Sequence, residues 1–327
     1  MSEERDGKRS AARNRDYDVV IVGSGLAGLT AGLFAARYGL STAVLEANIP
    51  GGHLVSIEKI EDFPGFPEGI AGYELCPAVQ QQAANQGAEF HRAEVRRLEA
   101  DDRFWSVISL EERYRTKAVI LAMGSGPREL GIPGEAQWKG KGVSHCASCD
   151  GPLFNGRVVG VVGGGDSALQ EALTLANYAA QVILFHRLED FSAQRVFQQR
   201  VLSHSKIEVR RQTVVEEILG NEAVVGARVR NLSTGEETQL ELSGLFVYVG
   251  LRPNTGFLKE TLRLGETGHI RTDASMRTEL PGVYAVGDIR EDSAAQAITS
   301  AGDGAVAAIA AHRYIRDRFC HEPCRDI

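Results

Sequence analysis

Two cysteines two residues apart, with an acid directly after the second, stand in the middle of the chain as SHCASCDG over 144–151. This spacing lets Cys146 and Cys149 bond across one helical turn, and a helix N-terminus lowers the pKa of a thiol placed there. The thiolate is the attacking species in disulfide exchange, so such tuning bears on reactivity. Asp150 suits both a helix cap and a proton carrier, and the two roles are compatible. Zinc would need about four ligands. The other cysteine pair, Cys320 and Cys324 with His321 between them, belongs to a terminal tail that nothing requires to approach. CASCDGP is polar and turn-forming and lacks an apolar period, which argues against a buried inert pair. Cys76, in YELCPAV, reads as a small core residue.

The elements that must position this pair begin with size. A chain of 327 residues exceeds one ordinary core and implies two domains. A net charge of −7 disfavours nucleic acid or an anionic membrane as the main partner. No run approaches the roughly 20 apolar residues that span a bilayer. The opening MSEERDGKRSAARNR has no apolar segment, so it reads as a flexible tail over residues 1–15 and not as a secretory signal. Five cysteines, odd and sparse, do not make a secreted disulfide framework, so a reducing cytoplasm is the expected compartment.

Residues 17–46 carry a β-branched run, then Gly23-Ser-Gly25-Leu26-Ala27-Gly28, a small-residue helical stretch and a second apolar run ending in Glu46. This is the βαβ fingerprint of a dinucleotide site. Gly23 permits the tight turn, Gly25 admits a pyrophosphate, and Gly28 lets the helix pack on the strand. The helix N-terminus favours phosphate. Glu46 is placed to accept hydrogen bonds from ribose hydroxyls.

Residues 157–187 repeat the pattern: VVGVVG, then Gly163-Gly-Gly165-Asp166-Ser167-Ala168, a helix, and QVILF. Ala168 takes the third glycine position. Here the second strand ends in His186-Arg187 and not in an acid, and an arginine there attracts a ribose 2′-phosphate. The first site therefore suits a cofactor with a free ribose, such as FAD, and the second leans toward NADPH. A third strand–turn–helix, GVYAVGDI onward, places Gly287-Asp288 before a helix expected to begin near Gln296. An acid at that strand end can bind a ribityl or pyrophosphate group.

The order GSGLAG, PGGHL, CASCDG, GGGDSA, YVGLRPN and GVYAVGDI with QAITSAGDG resembles the low-molecular-weight thioredoxin reductases, flavoproteins with two dinucleotide-binding domains. The resemblance spans about residues 17–316, and the cysteine pair between two fingerprints is its most diagnostic part. It implies an α/β fold of two Rossmann-like domains (three-layer ββα), the second inserted into the first. The FAD-binding domain would take 16–123 and 252–327. The NAD(P)H-binding domain, carrying the redox pair, would take 124–251, with GSGP and GLRP as paired hinges. FAD would be held by Gly23, Gly25, Leu26, Ala27, Gly28, Glu46, Gly51, Gly52, His53, Asp62, Val95, Ala122, Gly124, Gly287, Asp288, Gln296 and Ala297. The nicotinamide cofactor, NADPH or NADH, would be held by Gly163, Gly165, Asp166, Ser167, Ala168, His186 and Arg187. The resemblance further implies a homodimer, Cys149 against the flavin, Cys146 toward the disulfide of a thioredoxin-like partner, Asp150 as acid/base, and rotation of the inserted domain.

Three features depart from that pattern. Leu188 and Ser192 replace two arginines, and Glu189 and Asp190 add negative charge, which weakens the case for NADPH. Ala295 stands where a basic residue is common. The FCHEPC end reads as a tail with two idle thiols more readily than as a second relay. These departures keep three other readings open: electrons from ferredoxin or another flavoprotein, a dithiol oxidase, and a non-catalytic redox sensor. The intact cysteine pair with its aspartate argues against the last.

Overall fold

The computed structural model describes residues 13–319. Residues 1–12, and Cys320, His321 and Cys324 with them, lie outside the described residues.

The chain opens with β1 (Arg13–Val22), whose last four residues are buried on both faces as a continuous apolar run. Each such side chain contributes about 1.5–3 kcal/mol on burial. The strand begins earlier than composition suggests. β6 (Glu112–Leu121) offers a parallel edge from Arg13↔Glu112 to Val22↔Leu121, and Arg15 pairs with Glu112 at 3.0 Å. Residues 13–15, expected in the tail, are therefore strand. Between these two strands come α1 (Leu26–Arg37), β2 (Thr42–Glu46), α2 (Gly72–Asn85), β3 (Glu89–Arg92), β4 (Val95–Asp101) and β5 (Phe104–Ser109). The sheet runs β3-β2-β1-β6-β5-β4. Its β3-β2-β1-β6 part is parallel and its β6-β5-β4 part antiparallel.

The chain then leaves through β7 (Ser125–Pro127) for a second compact unit, Gly126–Arg252. This unit contains β8 (Val143–Ser144), α3 (Ala147–Asp150), β9 (Val158–Gly163), α4 (Asp166–Ala176), β10 (Gln181–Phe185), α5 (Arg195–Ser203) and β11 (Ile207–Arg210). An antiparallel meander follows, β12 (Thr213–Gly220), β13 (Val224–Asn231) and β14 (Glu237–Glu241), and then β15 (Gly244–Tyr248). The parallel sheet of this unit runs β11-β10-β9-β15-β8.

The return crossing, β16 (Leu251–Pro253), pairs with β7 as a two-stranded ribbon. The first unit is then completed by β17 (Val283–Ala285), parallel to β6, and by α6 (Ala297–Phe319). Helix α6 lies hard against α1. A Cβ on Gly304 would overlap the carbonyl oxygen of Ala27, so glycine at 304 allows backbone to touch backbone. Among the described residues no helix is long and apolar enough to cross a membrane.

Candidate active site

The first glycine-rich turn joins β1 to α1 at the carboxyl end of the parallel strands. Gly23 has φ +101°, and a Cβ there would overlap Ala122 O, so only glycine fits. A Cβ on Gly28 would overlap Gly23 O, which is how α1 packs onto the turn. Gly25, the N-cap of α1, is different: a Cβ there would meet nothing within 4 Å. The first-turn amides of Leu26, Ala27 and Gly28 have no preceding helical carbonyl to bond, and no acid occupies that turn. Open space, orphan donors and the positive end of the helix dipole together fit a bound pyrophosphate.

The predicted partners gather at this end of the sheet. Gly51 N–H donates to Ser24 O at 2.8 Å, and Gly52 backs onto Gly25. Cys76 is buried behind Gly51, and burial pushes its thiol up to about 11. Gly287 packs on Ala27. Ala122 and Gly124 follow β6, and Asn254 N–H reaches Gly124 O at 3.1 Å. Val95 opens β4 just after Ala93, whose N–H donates to Glu46 O at 2.8 Å. Asp62 follows Ile60, which packs with Leu26 in a small cluster that also takes in Ala297. Helix α6 begins at Ala297, one residue after Gln296.

Glu46 departs from expectation in detail. Its carboxylate already accepts Ser24 N–H (2.9 Å), Ser24 Oγ–H (2.7 Å) and Asn48 N–H (2.9 Å). It organises the turn itself, and Ser24, fully buried, was not singled out from sequence because a small polar residue between two glycines looks like filler. Asp303, likewise between two glycines, and Arg290 were missed as well. Asp303 accepts Gly287 N–H at 3.0 Å and pairs with Arg290 at 2.8 Å, fixing the loop that carries Asp288. Burial pushes the Asp288 carboxyl above its ordinary range, with Ser300 Oγ (3.4 Å) and the nearby His53 ring opposing. A half-buried acid with one long hydrogen bond beside the Gly-rich turn fits a hydroxyl-bearing ligand.

The second unit carries the cysteines. Cys146 and Cys149 form a disulfide, with Cα atoms 5.3 Å apart. Cys146 is the N-cap of the four-residue α3, and its Sγ accepts the Cys149 N–H at 3.2 Å. Cys149 is exposed and Cys146 half-buried. Ser144 fixes the neighbouring acid: its hydroxyl donates to Asp150 Oδ2 at 2.6 Å and accepts Cys146 N–H at 3.0 Å. No group of three or more His, Cys, Asp or Glu able to hold a metal occurs among the described residues.

The second glycine-rich turn repeats the first in backbone only. A Cβ on Gly163 would overlap Tyr248 O and crowd Ala168, and Gly165 caps α4. The acid at the start of this helix, Asp166, accepts Gln194 N–H at 2.7 Å, with Ser167 following it. His186 occupies the position of Glu46, but it is buried, and its Nε2 lies 2.9 Å from Asp190 O. The ring fills the space that a Cβ on Gly164 would take. The ring lies between Gly164 and Phe191 and forms one wall of the turn. Arg187 is exposed, and Glu189 lies 3.6 Å from Arg211 at the end of the adjacent strand.

Known proteins resemble this chain in sequence and fold. The family model described as pyridine nucleotide-disulphide oxidoreductase matches residues 17–304. The thioredoxin reductase of Listeria monocytogenes is 39% identical over 311 residues, covering 94% of this chain and 96% of that protein. The bifunctional thioredoxin reductase/thioredoxin of Mycobacterium leprae is 39% identical over 309 residues, 94% of this chain and 68% of that protein. The crystal structure of Lactococcus lactis thioredoxin reductase superposes with a TM-score of 0.90 at 38% identity, over 92% of this chain and 99% of that one. The chain thus belongs to the pyridine nucleotide-disulphide oxidoreductase family, among its low-molecular-weight thioredoxin reductases.

Proposed function

We propose that this chain is an FAD-dependent thioredoxin reductase that works as a homodimer in the cytoplasm, with a nicotinamide nucleotide as donor and a thioredoxin-like protein as acceptor. The observation that carries the reading is the Cys146–Cys149 disulfide at the N-terminus of a short helix, with Asp150 held beside it by Ser144. The first turn, with Glu46 and Asp288 around it, is the proposed flavin site. The second turn is the proposed nicotinamide site. A flavin supplies two-electron transfer between a nicotinamide and a disulfide.

The residues account for the remaining chemistry. In the dithiol form, Cys146 attacks one sulfur of the partner disulfide. A mixed disulfide forms and the partner's other sulfur leaves. Asp150 takes the proton from Cys146 and passes it to that leaving sulfur. Cys149 then attacks Cys146, the internal disulfide reforms, and the second partner sulfur departs with its proton. Two electrons have moved from the dithiol to the partner. Cys146 is assigned the attack because the N-cap sulfur is the one nearest the helix amides.

Donor choice is the finer question. Arg187 supports NADPH, whereas exposed Leu188 and the Glu189–Arg211 pair leave a weaker cradle for a 2′-phosphate. We expect NADPH to be favoured over NADH by less than about tenfold. Mixing the purified flavoprotein with each nucleotide, then with thioredoxin, tests both points. Bleaching of the flavin followed by thioredoxin reduction supports the reading. A flavin that responds to neither nucleotide, but to reduced ferredoxin or to a small dithiol, overturns it.

A further inference from the structure

The exchange steps above leave one polar cluster around the redox helix unused. The N–H of Ala147, the first amide of α3, is shared between Glu171 Oε2 (3.2 Å) and Tyr248 Oη (3.1 Å). Tyr248 Oη also donates to that carboxylate, at 3.5 Å. Glu171 comes from α4 and Tyr248 is the last residue of β15, so two separate elements converge on one amide.

That amide matters because α3 has only four residues. Its first N–H groups are the local source of positive potential for a thiolate at Cys146. Four covalent bonds separate the Cys146 sulfur from the Ala147 nitrogen, which keeps the two within about 5 Å. A carboxylate bonded to the same nitrogen therefore opposes negative charge on that sulfur. The other groups around α3 do not reverse the sign. Asp150, on α3 itself, is acidic and tied to Ser144 of β8. His145 is pushed below its ordinary range by burial and by Lys139, with Glu135 and Glu129 opposing, and so stays neutral. Tyr178, after α4, packs on Gly151. Burial, and then Glu171, push the Tyr248 hydroxyl up, so it stays protonated.

We propose that Glu171, seated against the Ala147 N–H beside Tyr248, is a positioning residue that keeps the Cys146 thiol protonated at neutral pH and so keeps the Cys146–Cys149 pair a strong electron donor. A dithiol whose thiolate is heavily stabilised holds its electrons and acts as an oxidant. The short helix alone would push the pair in that direction, and the carboxylate counteracts it. The inference rests on reading the pair as the donor dithiol of a reductase.

The test uses the full flavin-bearing chain with Cys149, Cys320 and Cys324 replaced by serine, and follows iodoacetamide alkylation of Cys146 against pH by mass spectrometry. Cys76 does not compete, being buried with its thiol pushed up to about 11. Glu171→Gln keeps an oxygen for the Ala147 N–H but removes the charge. It is expected to give about tenfold more thiolate at any pH below the midpoint, a fall of about one pH unit. Tyr248→Phe removes a hydrogen bond and no charge, so its rate should stay within about threefold of the parent. An unmoved midpoint in a Glu171→Gln chain that retains its flavin spectrum overturns the proposal, as does an equal shift in Tyr248→Phe. So does a Cys146 that is already mostly thiolate at pH 7 with Glu171 intact, a result that needs no variant at 171. Alkylation requires neither nucleotide nor thioredoxin, so failure of thioredoxin turnover is a separate outcome.

Discussion

The two glycine-rich turns share a backbone and differ in what closes them. At the first, Glu46 reaches back from the end of β2 and ties down Ser24, and the opening turn of α1 holds no acid. At the second, a buried histidine ring stands in the equivalent place, and Asp166 sits at the start of α4. Sterics impose the glycines in both, because Gly23 and Gly163 each press on a neighbouring strand's carbonyl. Electrostatics do not impose the rest. The opening turn of α1 leaves its first amides without a nearby acid, whereas that of α4 carries Asp166, so the two helix N-termini offer an anion unequal fields.

The contrast breaks most visibly at the glycines. Gly23→Ala should cost about 3 kcal/mol or more, through both backbone strain and overlap with Ala122, and abolish soluble yellow protein. Gly25→Ala, with nothing to clash against, should leave the melting temperature of the flavin-free chain unchanged while flavin content falls. Equal damage from both would mean that Gly25 serves packing, not a ligand. Next in size, Glu46→Ala removes three charge-assisted hydrogen bonds, and urea titration should show a loss of about 2–3 kcal/mol. Arg187→Ala should raise KM for NADPH by about tenfold and leave NADH unchanged. An equal effect on both nucleotides would remove Arg187 from 2′-phosphate recognition.

Asp288→Asn should give the smallest change. Burial raises the Asp288 carboxyl in the folded chain, so ionisation opposes folding as pH rises. The variant without flavin should melt higher than the parent at pH 7. That advantage should vanish below about pH 4, where the acid is neutral folded or unfolded. A lower melting temperature at pH 7 would show that the Ser300 and His53 contacts outweigh burial.

What the sequence made legible follows the range of the interaction. The turn at 23–28 is legible because glycine spacing, one strand and one helix mark it, and the packing of Gly28 on Gly23 lies within the motif itself. The long-range ties were illegible. Tyr248 meets Ala147 across 101 residues, Glu171 meets it across 24, and neither residue type announces a partner. The early start of β1 was hidden because polar residues 13–16 carry no apolar period, and their pairing with β6 is non-local. The packing of His186 was illegible for a different reason: alignment with Glu46 says nothing about which way a ring turns when Gly164 leaves room for it.

The close seating of Gly304 on Ala27 has a consequence for the order of assembly. Strand β6 ends at Leu121 and α6 at Phe319, so the helix that covers α1 leaves the ribosome about 200 residues later. At ~5–20 residues per second, that is a wait of ~10–40 s. During it, the inserted Gly126–Arg252 unit can fold complete while the first sheet lacks both β17 and its covering helix. Until α6 arrives, the face of α1 that it covers has no partner within its own unit.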